Sequence, residues 1–282
     1  MKKLFLILAV TTLFFSCKKS TIDKTPELPS SPLITTAGTP DGTPSSKLIK
    51  AAAGGSITSA DGRITVKVPA AAFSSDQMFI IQPITNNTGF GIGKAYRLTP
   101  EGTTFNKPVT ISFNYTDAEV TGATPELLSI AYQDNAGAWQ SMNQTQVNTQ
   151  QRQLTVTTTH FSDWGFFPLV YIEPGDARVE VNETVDLKVM YAIDPADADL
   201  FPAPIGNTPL TQPIQINPSY IKKWNYNGTG ALTPNGSKAV YKAPGKAPLQ
   251  NPEAVNAEIN FRKKETYLLV SNITVLSDFH ID

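Results

Sequence analysis

The feature that most constrains this chain is a hydrophobic pattern with a period of two residues. Ile64, Val66 and Val68 alternate with Thr65 and Lys67, and Val109, Ile111, Phe113 and Tyr115 repeat the pattern. So do Leu128, Ile130 and Tyr132, then Leu154, Val156 and Thr158, then Val185, Leu187, Val189, Tyr191 and Ile193. Alternation of this kind puts every second side chain on one face of a strand, where a core can cover it. Turn residues separate the runs, at Asp61-Gly62, Asn87-Thr88-Gly89, Pro100-Glu101-Gly102 and Asn135-Ala136-Gly137. No window keeps a clean helical period. Short strands with turns every ten or so residues predict an all-β sandwich. A length of 282 residues accommodates about two such domains, each able to bury its own core. The expected fold class is all-β, with two β-sandwich domains.

Composition narrows the function by exclusion. There are 23 basic and 24 acidic side chains, and charged residues make up 17% of the chain, well under the ~25% of an average protein. No basic field is available to grip nucleic acid. A single cysteine and two histidines leave no disulfide framework and no Cys/His zinc site, and few groups for histidine-based catalysis. No cofactor and no metal is expected.

The first segment reads as an address. Lys2 and Lys3 precede an apolar run from Leu4 to Phe15, too short to cross about 30 Å of hydrocarbon but suited to a signal-peptide core. Phe15-Ser16-Cys17 then meets Lys18-Lys19. This junction resembles the lipobox of bacterial lipoproteins, in the Ser-Cys form common in Bacteroidota. The resemblance implies cleavage of residues 1–16 and a diacylglyceryl thioether on Cys17. Two or three acyl chains at about 0.8 kcal/mol per buried methylene would anchor the protein nearly permanently. The membrane partner is then reached through the N-terminal lipid, and the expected location is the outer membrane, on its periplasmic or its cell-surface side. Residues 17–50 are expected to be a disordered tether, because Pro26, Pro29, Pro32, Pro40 and Pro44 alternate with Ser, Thr and Gly and few large apolar side chains intervene.

Residues 51–167 carry a family likeness. Gly54-Gly55-Ser56-Ile57-Thr58-Ser59-Ala60-Asp61-Gly62-Arg63 leads into Val68-Pro69-Ala70-Ala71-Ala72-Phe73. Tyr96-Arg97-Leu98-Thr99-Pro100-Glu101-Gly102 follows, and then Lys107-Pro108-Val109-Thr110-Ile111. The stretch resembles the ZU-five domain, the β-sandwich module of ankyrins, zonula-occludens proteins and netrin receptors, which also occurs in bacterial lipoproteins. The likeness implies a module for protein–protein contact or intramolecular packing. In some eukaryotic ZU-five domains a His-Phe-Ser triplet is where the chain cuts itself, and His160-Phe161-Ser162 falls at the corresponding late-strand position. The implied chemistry is an N→O acyl shift: Ser162 Oγ attacks the Phe161 carbonyl with His160 moving the proton to the Ser162 nitrogen, the Phe161–Ser162 amide opens to an ester, and water hydrolyses that ester. The parity of Leu154, Val156 and Thr158 gives the same histidine a second role, packing or hydrogen bonding at the core edge.

Residues 168–282 form a second β unit. Lys223-Trp224-Asn225-Tyr226-Asn227-Gly228-Thr229-Gly230 and Ala239-Val240-Tyr241-Lys242-Ala243-Pro244 resemble bacterial immunoglobulin-like repeats, in which a strand Trp packs in the core. Trp224 is expected to pack there, the alternative being a sugar-stacking platform beside Tyr226. Tyr267 to Val275 reads as a strand, and Pro195 to Pro213 as a long loop. Asp194, Asp197 and Asp199 lack the glycine and terminal glutamate of a calcium loop and read as a solvated acidic turn. Gly89-Phe90-Gly91-Ile92-Gly93 lacks the Lys-Ser/Thr ending of a phosphate loop and reads as a flexible hairpin tip. The chain is expected to be a non-enzymatic, membrane-anchored binding, adhesion or scaffolding lipoprotein with a protein or glycan partner. The alternative is a self-processing domain cut between Phe161 and Ser162.

Overall fold

The computed structural model describes residues 31–193, 207–261 and 265–277. Within them the protein is all-β. The first unit has eleven strands: β1 (Ser45–Ile49), β2 (Gly55–Thr58), β3 (Ile64–Val68), β4 (Gln77–Ile84), β5 (Ala95–Thr99), β6 (Val109–Asn114), β7 (Leu128–Gln133), β8 (Trp139–Met142), β9 (Gln146–Asn148), β10 (Gln153–Thr158) and β11 (Asp163–Pro168). The second has β12 (Val170–Glu173), β13 (Asp176–Glu180), β14 (Thr184–Ile193), β15 (Asn207–Gln215), β16 (Ile221–Tyr226), β17 (Ala231–Asn235), β18 (Lys238–Lys242), β19 (Glu253–Phe261) and β20 (Glu265–Leu276).

In the first sandwich the sheet β2-β3-β6-β10-β9 faces β1-β4-β5-β11-β7-β8. The alternating residues fill the space between them: Ile64, Val109, Ile111, Phe113, Ile130 and Leu154 are fully buried. Burying side chains of this size is worth about 1.5–3 kcal/mol each. In the second sandwich, β13-β20-β19-β16 faces β15-β14-β18-β17, over a core that includes Leu187, Val189, Tyr241, Val255, Ile259 and Leu269.

The two sandwiches share one continuous sheet. Asn207, Thr208 and Pro209 of β15 pair with Met142, Ser141 and Gln140 of β8, so the large sheet of the first unit runs on into the second. Trp139, Phe167 and Ala131, on the face of that sheet turned from the first core, join the second core instead. Across the seam, Ile172 N donates to Gly122 O at 2.7 Å and Gly122 N to Val270 O at 2.8 Å. Gly122 has a φ of +80°, and a Cβ there would stand 2.5 Å from the Ile172 carbonyl oxygen, so only glycine fits this approach.

Three expectations are corrected. The stretch 31–50, assigned above to the disordered tether, is folded. Leu33 is buried with 1% exposure, and β1 pairs along its length with β4. Just beyond the β8–β15 pairing, residues 31–35 lie between the two strands: Leu33 N donates to Leu210 O and Trp139 N donates to Leu33 O. Prolines exclude a helix but not a strap satisfied on both sides by neighbouring strands. Second, the end of the expected 195–213 loop is strand β15, and Pro213 sits where the β14–β15 register shifts, a place that needs no amide donor. Third, the glycine-rich turn at 89–93 is not a free tip. Phe90 stacks on Tyr171 at 6.2 Å and 5°, and Ile92 is buried.

Candidate functional site

Cys17, Asp194, Asp197, Asp199 and His280 lie outside the described residues. His160, Phe161 and Ser162 occupy the corner where the chain leaves β10 in one sheet for β11 in the other. Phe161 drops into the first core, edge-on to Phe79 at 5.4 Å and to Phe105 at 4.8 Å. The backbone is held on both sides of it, by Phe105 N donating to Thr159 O at 2.8 Å and Leu98 N donating to Ser162 O at 3.0 Å. The His160 ring meets Tyr132 at 4.6 Å and Trp164 at 5.6 Å. Its Nδ1 shares a hydrogen bond with Thr158 Oγ1 at 3.0 Å, the next residue along the same strand parity. Its Nε2 is buried without a hydrogen-bond partner, and burial pulls the imidazole below its ordinary pKa. Ser162 Oγ donates to the Gln133 carbonyl.

The fold therefore brings the triplet together, but as a packed corner. A nucleophilic serine needs its proton on a base, and here that proton is held by a backbone carbonyl. The polar recess beside it, about 480 Å³ in volume, is equally committed. Arg97 grips Asp163 through two 2.7 Å hydrogen bonds. Asp134 is filled by Ala136 N, Ala138 N and the Gln140 amide.

A second site lies at one end of the second sandwich. Its centre is Glu253, whose side chain is buried although it carries a carboxylate. Glu253 occupies the inward parity of β19, in line with Val255, Ala257 and Ile259. Burial alone would hold it neutral, but four donors converge on it. Oε1 accepts from Thr229 N at 2.7 Å and Thr229 Oγ1 at 2.9 Å. Oε2 accepts from Tyr226 Oη at 2.6 Å and from Tyr241 Oη. Burial pushes its pKa up, and the Thr229 amide with the two tyrosine hydroxyls more than offsets this, holding it below the usual carboxylate range. Burial, then the Glu253 contact, pushes the Tyr226 hydroxyl up to about 12. At neutral pH the site is one carboxylate with every lone pair taken, held by two protonated tyrosines.

This clamp fixes the turn after β16. Gly230 N donates to Tyr226 Oη at 2.6 Å. A Cβ on Gly228 would stand 2.5 Å from both Glu253 Oε1 and Tyr226 Oη, so a larger residue there would have to push the carboxylate or the tyrosine hydroxyl out of the clamp. Above it opens a cavity of about 550 Å³. Tyr226, Asn227, Thr229, Gln250, Glu253 and Asn256 line it, with Pro248 and Leu249 as one wall.

Trp224 does not line this cavity. Its Nε1 donates to Gly236 O at 2.9 Å, and the half-buried ring packs against the second core. Tyr226, not Trp224, is the aromatic at the site. Glu253 escaped the sequence reading, although a lone acid on the apolar parity of a strand was there to be noticed. Among the described residues, no three His, Cys, Asp or Glu side chains gather as metal ligands would. No protein-family model matches the chain, and no curated protein matches it.

Proposed function

We propose that the protein is a non-catalytic binding or scaffolding module, anchored to the outer membrane by lipid on Cys17 and built from a ZU-five-like domain followed by an immunoglobulin-like one. The observation that carries the non-catalytic part is the saturation of both candidate reaction centres. Ser162 Oγ is spent on the Gln133 carbonyl and Glu253 on four donors. Catalytic acids, bases and nucleophiles need a free lone pair or a transferable proton aimed at open space. The anchor rests on the Phe15-Ser16-Cys17 junction and the apolar run before it. Metabolic labelling with an acyl-chain probe tests it: wild type takes up label and partitions into detergent, and Cys17→Ser does neither. A Cys17→Ser protein that still partitions into detergent would overturn the anchor.

One observation favours a second reading, self-processing between Phe161 and Ser162. His160 Nε2 is buried with no hydrogen-bond partner, so one ring nitrogen of the triplet's histidine is uncommitted. Intact-mass measurement of wild type and Ser162→Ala separates the readings. Two fragments meeting at Phe161/Ser162 in wild type alone would establish processing, and one full-length chain in both after long incubation would leave the packed corner.

A further inference from the structure

We infer that the cavity above Glu253 is a binding site for a neutral oligosaccharide. This rests on the reading of the protein as a non-catalytic binding module and gives that module its ligand class. Three amide side chains, Asn227, Gln250 and Asn256, line the cavity, and none has a hydrogen bond to another described residue. Each offers a carbonyl acceptor beside two N–H donors, the pairing that matches adjacent hydroxyls on a pyranose ring. Pro248 and the fully exposed Leu249 supply an apolar wall for the C–H face of such a ring.

The lining favours a neutral ligand over a charged one. No Lys or Arg lines the cavity, so nothing there would recognise phosphate, sulfate or a carboxylate. The only lining acid is Glu253, whose four acceptor positions are filled from inside the fold, which leaves no group for a cationic ligand. A volume of about 550 Å³ falls within the ~300–1,000 Å³ of small-ligand pockets, whereas a protein partner needs about 800 Å² of matching surface on each side. The Glu253 clamp holds the turn that carries Asn227 before any ligand arrives, so little ordering entropy opposes binding.

The same geometry separates binding from cleavage. Glycoside hydrolysis uses two carboxylates across the scissile bond. This cavity has one, ionised at neutral pH and with its acceptor positions already filled from inside the fold. The site holds its sugar without cutting it.

The test titrates the full chain, purified in detergent, with defined neutral di- to tetrasaccharides of glucose, galactose, mannose and N-acetylglucosamine, followed by calorimetry and product chromatography. At least one saccharide should bind with a dissociation constant on the order of 1 mM or tighter. Asn227→Ala/Asn256→Ala should weaken it by at least about tenfold. Leu249→Ser, a change at a fully exposed position that spares the core, should weaken it measurably. Absence of binding across the whole set, or binding that both variants retain, would overturn the sugar site and leave the anchored, non-catalytic reading standing. Release of shorter saccharides by wild type would instead overturn the non-catalytic reading, with the sugar site intact.

Discussion

Replacing Leu33 by alanine removes one side chain from the point where both sandwiches meet. Leu33 is buried with 1% exposure in the core that contains Trp139, Phe167 and Leu210. Its backbone joins the two units, through 2.7 Å to Leu210 O on one side and 3.0 Å from Trp139 N on the other. Alanine keeps those backbone bonds and deletes the packing. A buried Leu→Ala change costs about 2–5 kcal/mol. With a shift of about 2–4 °C per kcal/mol for a unit of this size, a mid-range loss of about 3 kcal/mol lowers the melting temperature by about 6–12 °C. Because β8 and β15 belong to one sheet, both sandwiches should melt together in a single, earlier transition. The control is Ile34→Ala, next door but 60% exposed, where the expected change stays within about 0.5 kcal/mol. Calorimetric scans of both variants beside wild type provide the measurement. If Leu33→Ala melts with Ile34→Ala and wild type, residues 31–35 are not holding the junction.

Four further outcomes follow from the buried polar groups and the strap. Glu253→Ala strands two tyrosine hydroxyls and the Thr229 amide, so urea unfolding should show a loss of about 3 kcal/mol or more. The Glu253 pKa is depressed in the folded protein, so its contribution to stability is complete above the unfolded value of about 4.3 and is lost as pH falls through the folded value. Glu253→Gln should therefore flatten the acid side of the stability–pH curve, and an unchanged curve would refute the clamp. His160, lowered by burial, should titrate by NMR below the ordinary histidine value of about 6.5, and a midpoint above it would place the ring in water or beside an acid. A chain begun at Leu48 loses Leu33 and most of β1 and should be less stable by urea unfolding than one begun at Ser31, with equal midpoints refuting a structural role for the strap.

What the sequence made legible was whatever alternates. The inward residues of β3, β6, β7, β10 and β14 were readable because a half-buried strand repeats every two residues. The strap was not, because composition averages over a window. Five prolines among Ser, Thr and Gly look unable to bury a core, and a single Leu33 held by backbone bonds on two sides does not change that average. Strand β15 was hidden for a related reason. Pro209 and Pro213 argue against a central strand, yet Pro213 falls in a break of register. At the site, Tyr226 and the glycines after it were readable as a motif. Its organising acid showed only as one polar letter in an apolar parity, and what the sequence could not show was the clamp, because the four donors to Glu253 come from Thr229, Tyr226 and Tyr241, up to 27 positions away in sequence.

The strap also changes what an anchor at Cys17 would do. A tether reaching to residue 50 would decouple the sandwiches from the membrane. The first described pairing, Gln212 N with Ser31 O, lies 14 residues beyond Cys17, and a covalent chain of that length at about 3.3–3.6 Å per residue cannot exceed about 50 Å. Among the described residues, a pull on the N-terminal side would reach Ser31 to Thr35 first, the segment wedged between β8 and β15. Peeling it away would strip Leu33 from the second core and the Thr35 carbonyl and hydroxyl from Gln133 and Trp139, which donate to them at 2.7 and 2.9 Å. Gln133 is also the residue whose carbonyl holds Ser162 Oγ. The strap, the interdomain junction and the packed corner at His160 are therefore joined by a short chain of direct contacts. Tension on the strap would load that chain before it reached the clamp at Glu253, which is held by contacts internal to the second sandwich alone.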